Sequence, residues 1–292
     1  MTTVVMTGGT SGIGAVAAAR LREAGARLLI GGRTAGDGVL RLDLADARSV
    51  RAFAATAADR LDGAPIDALV LNAGLSFATD RNRTADGVET TFAVNHLSQY
   101  LLLRLLLPRL AEGARVVLTS SSTHDPEHAG VLPAPRHADA ALLADPDRDP
   151  ARDPKRAGGH AYTASKLCNV LTVEALNTRA EARERRITAI AYDPGPTPGT
   201  GLSRDFSPGV KLVWTLLGSP LGRLMPRFSS RAAAGGTMAR LALGEIEPPA
   251  GRRYVALRRG RPQWTDPSEL ARDPKARDAL WNDSAAMLDL EA

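Results

Sequence analysis

The stretch that most constrains this chain is Thr7-Gly8-Gly9-Thr10-Ser11-Gly12-Ile13-Gly14. A short apolar run, Thr3–Met6, leads into it and reads as a buried strand. Ala15–Ala24 follows, rich in alanine, with Leu21 on its inner side and Gly25 to stop it, and reads as a helix. Strand, glycine loop and helix make one βα unit. Such glycines let the backbone turn tightly and approach a pyrophosphate, whose charge the helix N-terminus meets. The spacing is Gly8-x-x-x-Gly12-x-Gly14 rather than G-x-G-x-x-G, and a glycine cluster alone can be an ordinary turn. The flanking strand and helix favour nucleotide binding.

Arg27–Gly31 reads as the second strand. In dinucleotide-binding sheets an acid at its end takes the adenosine ribose, whereas an arginine accommodates a 2′-phosphate. Here the strand ends in Gly31-Gly32-Arg33 with no acid, which favours NADP(H) over NAD(H), with Arg33 as the phosphate clamp. The plainer reading of Arg33 is an exposed loop residue in an arginine-rich chain. Val39–Leu42 reads as a third strand running into Asp43-Leu44. Only residues 34–38 precede it, although a parallel crossover normally takes a dozen or more residues, usually a helix. Extended chain at about 3.3–3.6 Å per residue can still run back along a short strand. This crossover is therefore expected to be a loop.

Asp46 caps a helix to about Leu61, with Val50, Phe53 and Ala57 inward. Asp67–Leu71 is a fourth strand ending in Asn72-Ala73-Gly74, small enough for adenosine and ribose to pack closely. Asp86–Leu110 reads as one long helix that contains Asn95. Arg115–Thr119 is the fifth strand, ending in Ser120-Ser121-Ser122. Residues 123–158, rich in Pro, Asp and Arg, read as an exposed insertion with little regular structure. A helix carrying Tyr162 is expected to run to about Arg183, and Ile187–Tyr192 is the sixth strand. Asp193-Pro194-Gly195-Pro196-Thr197-Pro198-Gly199-Thr200 demands a rigid, irregular loop. Residues 196–228 read as a substrate-side lid, apolar and basic by turns. Ser229–Leu243 is a helix, Arg253–Leu257 a seventh strand and Asp273–Leu290 a terminal helix. There is no internal repeat.

His160-Ala161-Tyr162-Thr163-Ala164-Ser165-Lys166 sets a phenol and an ammonium four residues apart, on one face of a helix. A free phenol has a pKa of about 10. A cation within roughly 4–6 Å favours the phenolate and is expected to lower that value by about 1–3 units. That would bring Tyr162 toward the range of a general acid/base. An amphipathic helix with a half-buried tyrosine and a snorkelling lysine has the same spacing, so the surrounding site must decide.

Composition narrows the alternatives. The lone Cys168 excludes an internal disulfide and a structural zinc site, and no metal is expected. A net charge of +5 without basic blocks, and with aromatics at 4%, gives nucleic-acid binding little support. Leu101–Leu110, the most apolar window, contains Arg104, Pro108 and Arg109 and is too short to span a bilayer. No secretory leader is evident, and a cytoplasmic setting is expected.

Taken in order, the glycine loop, Asn72-Ala73-Gly74, Asn95, the serines at 120–122, Tyr162-x-x-x-Lys166 and Pro194-Gly195 resemble the short-chain dehydrogenase/reductase family nearly end to end. The stretches Arg83-Thr84-Ala85-Asp86-Gly87, Phe92-Ala93-Val94-Asn95-His96-Leu97 and Ser165-Lys166-Leu167-x-Asn169-Val170-Leu171 are most similar to its retinol-dehydrogenase and protochlorophyllide-reductase-like branch. The resemblance implies an α/β fold: a Rossmann-type, doubly wound parallel sheet of about seven strands in a single domain with a lid insertion. It implies that Tyr162 exchanges the proton on the substrate oxygen. Lys166 lowers the phenol's pKa and holds the nicotinamide ribose, Ser121 orients the oxygen, and Asn95 holds a water of the proton relay. Ser120 and Ser122 are weaker candidates than Ser121. Cofactor contacts are implied for Thr7, Gly8, Thr10, Ser11, Gly12, Ile13, Gly14, Arg33, Asp43, Leu44, Asn72, Ala73, Gly74, Tyr162, Lys166, Pro194 and Gly195. Thr197 or Thr200 would hold the carboxamide. The partner is a small-molecule substrate, and homo-oligomerisation is left open. Two departures from the pattern are the 41-residue step from Ser121 to Tyr162 and the missing crossover helix. The expected activity is NADP-dependent carbonyl reduction or alcohol oxidation on a lipophilic substrate. The alternatives are reduction of a carbon–carbon double bond and a non-catalytic NADP-binding regulator.

Overall fold

In the computed structural model, which describes residues 1–130, 132–197 and 229–291, the apolar runs pair into one sheet. Its strands are β1 (Thr3–Thr7), β2 (Arg27–Gly32), β3 (Val39–Arg41), β4 (Ile66–Leu71), β5 (Leu110–Thr119), β6 (Thr188–Asp193), β7 (Tyr254–Arg258) and β8 (Arg261–Thr265). They lie in the order β3-β2-β1-β4-β5-β6-β7-β8. Every neighbouring pair is parallel except β7–β8.

Side chains alternate across β1, and both faces are covered. Val4 and Met6 enter one apolar cluster with Ala17, Leu21 and Met238, on helices α1 (Gly12–Glu23) and α5 (Arg231–Ala242). Val5 enters the other, with Phe53 of α2 (Ala47–Leu61), Leu101 of α3 (Ser98–Leu106), Leu167 of α4 (Ala157–Thr178) and Trp281 of α6 (Pro274–Ala286). A strand buried on both faces is a near-continuous apolar run, as Val4-Val5-Met6 is. Each such side chain stabilises by about 1.5–3 kcal/mol on leaving water.

The crossover between β2 and β3 has no helix. Gly36 and Val39 exchange backbone hydrogen bonds of 3.1 and 3.0 Å, and Gly38 turns at φ +67°. Other expectations need correction. Among the described residues the sheet has the seven expected strands and one more: Arg259 (φ 51°) and Gly260 (φ 72°) close a two-residue hairpin into β8. Pro262 is tolerated there because β8 is an edge strand. The long helix expected from Asp86 begins at Thr90 instead. Gly87 (φ +81°) belongs to a turn, and the Glu89 carboxylate caps the helix by accepting from Thr91 N (2.9 Å) and Phe92 N (2.6 Å). The segment then widens into a π turn at Ala93–Leu97, resumes as α3, and gives way to β5 already at Leu110. The Tyr162 helix starts at Ala157 and stops at Thr178, where Arg179 turns extended.

Among the described residues of 123–158, the regular pieces ahead of α4 are a short helix at Ala140–Ala144 and single turns at Ser122–His124 and Pro146–Arg148. The segment nevertheless packs down: Ala138, Ala140 and Leu143 join the core. Arg152 grips the buried Asp80 carboxylate in a two-pronged pair at 2.7 and 2.8 Å. The 196–228 stretch lies outside the described residues except for Pro196 and Thr197. Among the described residues no helix is long and apolar enough to cross a membrane.

Candidate active site

The C-terminal ends of β1, β4, β5 and β6 converge where the strand order reverses beside β1, the crevice in which open α/β sheets bind ligands. The glycine loop leaves β1 here. Gly8 (φ +66°) and Gly12 (φ +58°) occupy the left-handed region. A Cβ on Gly14 would stand 1.9 Å from the Gly8 carbonyl oxygen, and one on Gly8 would stand 2.8 Å from Ala73 N. The loop is thus folded hard onto the end of β4.

Polar side chains clasp it there. The Thr7 hydroxyl donates to Gln99 Oε1 (3.1 Å) and accepts from Asn72 N (3.0 Å) and Ala73 N (3.1 Å). Asn72 Nδ2 donates to Gly8 O (3.0 Å), and Asn72 Oδ1 accepts from Thr119 Oγ1 (3.2 Å). A hydroxyl has one donor and two acceptor positions, so the Thr7 side chain is fully used inside the protein. Thr7 and Asn72 shape the loop from behind. Gln99 and Thr119, which sequence reasoning missed, complete the clasp; a polar Gln99 directly before the apolar run Tyr100–Leu103 was the available signal.

The front of the loop has a different character. Thr10 and Ser11 are exposed, Ile13 is half-buried, and α1 begins with no acid in its first turn and no side-chain cap. These N-terminal amides and hydroxyls suit phosphate oxygens. At the end of β2, a Cβ on Gly31 would stand 2.3 Å from Leu42 and one on Gly32 2.8 Å from Val39. Arg33 beyond them is exposed and has no ion pair among the described residues. Asp43 and Leu44 are fixed by bonds from Ala45 N to Asp43 Oδ1 (3.0 Å) and from Ser98 Oγ to Leu44 O (2.7 Å). A nicotinamide dinucleotide fits this set: phosphate donors at α1 and, beside β2, a guanidinium with no ion pair among the described residues.

Helix α4 carries Tyr162 and Lys166, 7% and 4% exposed. Lys166 Nζ lies 5.7 Å from the Tyr162 ring centroid and donates to Thr119 O at 3.1 Å. Of the three serines, Ser120 is committed to Lys166 O (2.9 Å), whereas Ser121 Oγ accepts from Thr123 N (3.3 Å) and lies close enough to the Tyr162 hydroxyl to favour its ionised form. Asn95 sits in the π turn. Its Nδ2 donates to Leu75 O (2.8 Å) and Ser165 Oγ (3.0 Å), and its Oδ1 accepts from Leu75 N (2.8 Å). A Cβ on Gly74 would fall 3.2 Å from Asn95 Oδ1 and 3.4 Å from Lys166 Nζ, so glycine there lets β4's end meet both. Tyr162, Lys166, Ser121 and Asn95 are thereby brought around one point.

The proton affinities differ from the sequence expectation. Burial pushes the Tyr162 phenol up to about 12, against the Ser121 hydrogen bond and with the help of the Asp193 charge. Burial pushes Lys166 down to about 8, against the Asp193 carboxylate. Lys166 does not lower the phenol in this state, because desolvation dominates and the ammonium is turned onto the Thr119 carbonyl. Asp193 was read only as part of a rigid loop. It is a buried carboxylate that accepts from Gly195 N (2.9 Å), Tyr254 OH (3.3 Å) and Arg258 Nη1 (3.1 Å). Those bonds hold the Pro194-Gly195 turn. Thr197 Oγ1 donates to Gly195 O at 3.0 Å, and Thr200 lies outside the described residues.

Comparison with known proteins gives three kinds of likeness. Residues 2–132 match the family model described as short chain dehydrogenase. Over the whole chain, retinol dehydrogenase 12 of Homo sapiens is 33% identical, covering 98% of this chain and 85% of that protein. Protochlorophyllide reductase of Avena sativa is 31% identical over 98% of this chain and 99% of its own. Among solved structures, an uncharacterized protein from Mycobacterium paratuberculosis superposes with a TM-score of 0.68 at 30% identity, covering 100% of this chain and 94% of that one.

Proposed function

The chain belongs to the short-chain dehydrogenase/reductase family and is an NAD(P)-dependent oxidoreductase acting on CH–OH and C=O groups; from that premise we propose that it is an NADP(H)-dependent reductase of lipophilic carbonyl compounds, or the corresponding alcohol dehydrogenase. The observation that carries this reading is the gathering of Tyr162, Lys166, Ser121 and Asn95 at the end of β5.

The nicotinamide would supply or accept the hydride. This chain's own residues do the rest. Ser121 and Tyr162 orient the substrate oxygen, and the Tyr162 hydroxyl gives it the proton. Lys166 places a positive charge beside the phenol and holds the nicotinamide ribose. Asn95, clamped to Leu75 and Ser165, supports a water in the path that refills the proton. The N-terminus of α1, with Thr10, Ser11 and Ile13, holds the pyrophosphate. Arg33 would take the 2′-phosphate, Asp43, Leu44, Ala73 and Gly74 would hold the adenosine side, and Pro194, Gly195 and Thr197 or Thr200 would hold the carboxamide side. In this single-domain reading residues 123–158 would wall the site, and the proposed substrate-side lid, 196–228, lies outside the described residues except for Pro196 and Thr197.

Lipophilicity rests on the apolar residues Val213, Trp214, Leu216 and Leu217 and on the hydrophobic molecules in the relatives' names, retinol and protochlorophyllide. The second relative favours one variant, reduction of a carbon–carbon double bond at the same site. A cytoplasmic setting belongs to the same proposal, supported by the single buried Cys168. The test is NADPH oxidation against a panel of hydrophobic aldehydes, ketones and enones, with products separated by chromatography. Alcohols from the carbonyls support the first reading, and saturated ketones from enones the second. NADPH binding with no turnover of any class would instead favour a non-catalytic regulator.

A further inference from the structure

Behind Ser121 lies a buried histidine for which the roles above have no use. His124 is 1% exposed. Its Nδ1 is 2.7 Å from the Ser121 carbonyl oxygen, and its Nε2 is 3.2 Å from the backbone nitrogen of Ser268. The partners fix its tautomer without ambiguity. A carbonyl can only accept, so Nδ1 carries the hydrogen; a backbone N–H can only donate, so Nε2 presents its lone pair. Ser268 Oγ closes the contact by donating to His124 O at 3.4 Å. The imidazole packs edge-on against Tyr254, ring centroids 4.9 Å apart, and the Tyr254 hydroxyl reaches Asp193.

We infer that His124 is a positioning residue for the reaction, which locks the Ser121 backbone and so keeps the serine hydroxyl beside Tyr162. The inference rests on the catalytic reading proposed above. The Ser121 carbonyl receives two donors from the same residue, His124 N (3.1 Å) and Nδ1. Ser121 itself stands at the open end of β5, where the ladder to β6 has stopped at Thr119–Tyr192 and only Ser120 N still reaches Tyr192 O (2.8 Å). The imidazole supplies the restraint that the sheet no longer gives. Its far side is anchored on the segment after β8, so the chain near residue 268 helps set catalytic geometry at residue 121.

The lock works only for the neutral ring. A proton on Nε2 would face the Ser268 N–H donor to donor. The groups facing the ring are Asp125 and His128 on its own segment, Asp193 from β6 and Tyr254 from β7. The two carboxylates favour the imidazolium, His128 opposes it, and burial outweighs them to hold the ring's pKa below its ordinary value.

The test uses the full chain, NADPH and the fastest carbonyl of the panel. His124→Phe keeps a ring against Tyr254 and loses both hydrogen bonds; His124→Asn keeps a donor at the Nδ1 position. The expected result is a 10- to 100-fold loss of kcat in His124→Phe with NADPH affinity within about twofold, and recovery of most of that loss in His124→Asn. In a Ser121→Ala background, His124→Phe should cost nothing further, because it acts through that serine. Losses that multiply in the double variant, or a parental kcat in His124→Phe, would overturn the inference. If His124→Phe fails to fold, His124→Asn and the Ser121→Ala/His124→Asn cycle carry the same comparison with a smaller loss. Ser121→Ala at the parental rate would instead remove the catalytic reading itself, whatever the histidine variants do.

Discussion

Lys166 Nζ stands 5.7 Å from the centre of the Tyr162 ring, and burial acts on the two in opposite senses. The phenol is pushed up to about 12 and the ammonium down to about 8. At neutral pH the pair is a protonated phenol beside a cation. That is the state needed to deliver a proton to a carbonyl oxygen while the carbonyl carbon takes up hydride. In the proposed reaction the lysine would favour the phenolate left behind, an effect that grows as charge develops.

Asp193 should set where this pair titrates. Its carboxylate favours the protonated form of both Tyr162 and Lys166. Asp193→Asn removes the charge while its amide oxygen can still accept from Gly195 N. Both titrations should move to lower pH, and the alkaline limb of the kcat–pH profile with them. A profile that stays in place, or moves up, would show that Asp193 does not act on the pair.

Arg33 should decide cofactor choice. It is exposed and without an ion pair among the described residues, so a 2′-phosphate meets no competing partner there. A charge-assisted hydrogen bond contributes roughly 1.5–3 kcal/mol, or about 10- to 150-fold in affinity. Arg33→Ala should weaken NADPH by that factor and leave NADH nearly unchanged, as read by fluorescence titration. Equal parental affinities for the two cofactors would contradict the assignment.

Thr7 should matter for stability. Thr7→Val keeps the shape and strands the Asn72 and Ala73 amides and Gln99, all bound by one hydroxyl. At about 1–3 kcal/mol per buried unpaired group, and less for the part-buried Asn72 and Ala73 amides, the loss should be roughly 2–5 kcal/mol in urea unfolding. Thr7→Ser should recover most of it. A Thr7→Val protein as stable as the parent would mean that water replaces the clasp.

Acid should destabilise the fold before the carboxylate ion pairs fail. Burial holds His160 down to about 4 and His96 down to about 3. Below about pH 6.5 the unfolded chain takes protons that the folded one refuses, so stability from a neutral His160 is full above that pH and lost as pH falls toward 4. At about 1.4 kcal/mol per unit, this amounts to roughly 3 kcal/mol for His160. Glu89 and Glu174, raised by burial, pull the other way, so the variant comparison decides. The unfolding free energy of His160→Gln should fall less than the parent's between pH 6.5 and 4. An identical slope would contradict it.

Much of this was legible in the chain. Val4-Val5-Met6 followed by glycines could hardly be anything but a buried strand entering a tight loop, and five residues between Arg33 and Val39 leave no room for a helix. The π turn at Ala93–Leu97 was not legible, because the apolar pattern runs through it unbroken. Strand β8 was hidden by Pro262 and by an Arg-Gly turn that lacks the usual Asn or Asp. The direction of the Tyr162 shift was misread because i,i+4 spacing reports adjacency and says nothing of burial. Gln99, Thr119, His124 and Asp193 escaped because each is held in place by at least one partner 45 or more residues away in sequence.

The central claim, that Tyr162 is the proton donor, is tested most directly by the kcat of Tyr162→Phe. Phenylalanine keeps the buried ring and removes only the hydroxyl. General acid groups contribute about 10²–10⁴-fold, so kcat for NADPH-dependent carbonyl reduction should fall by that factor while NADPH affinity stays within about twofold. Turnover by Tyr162→Phe at a near-parental rate would contradict the account.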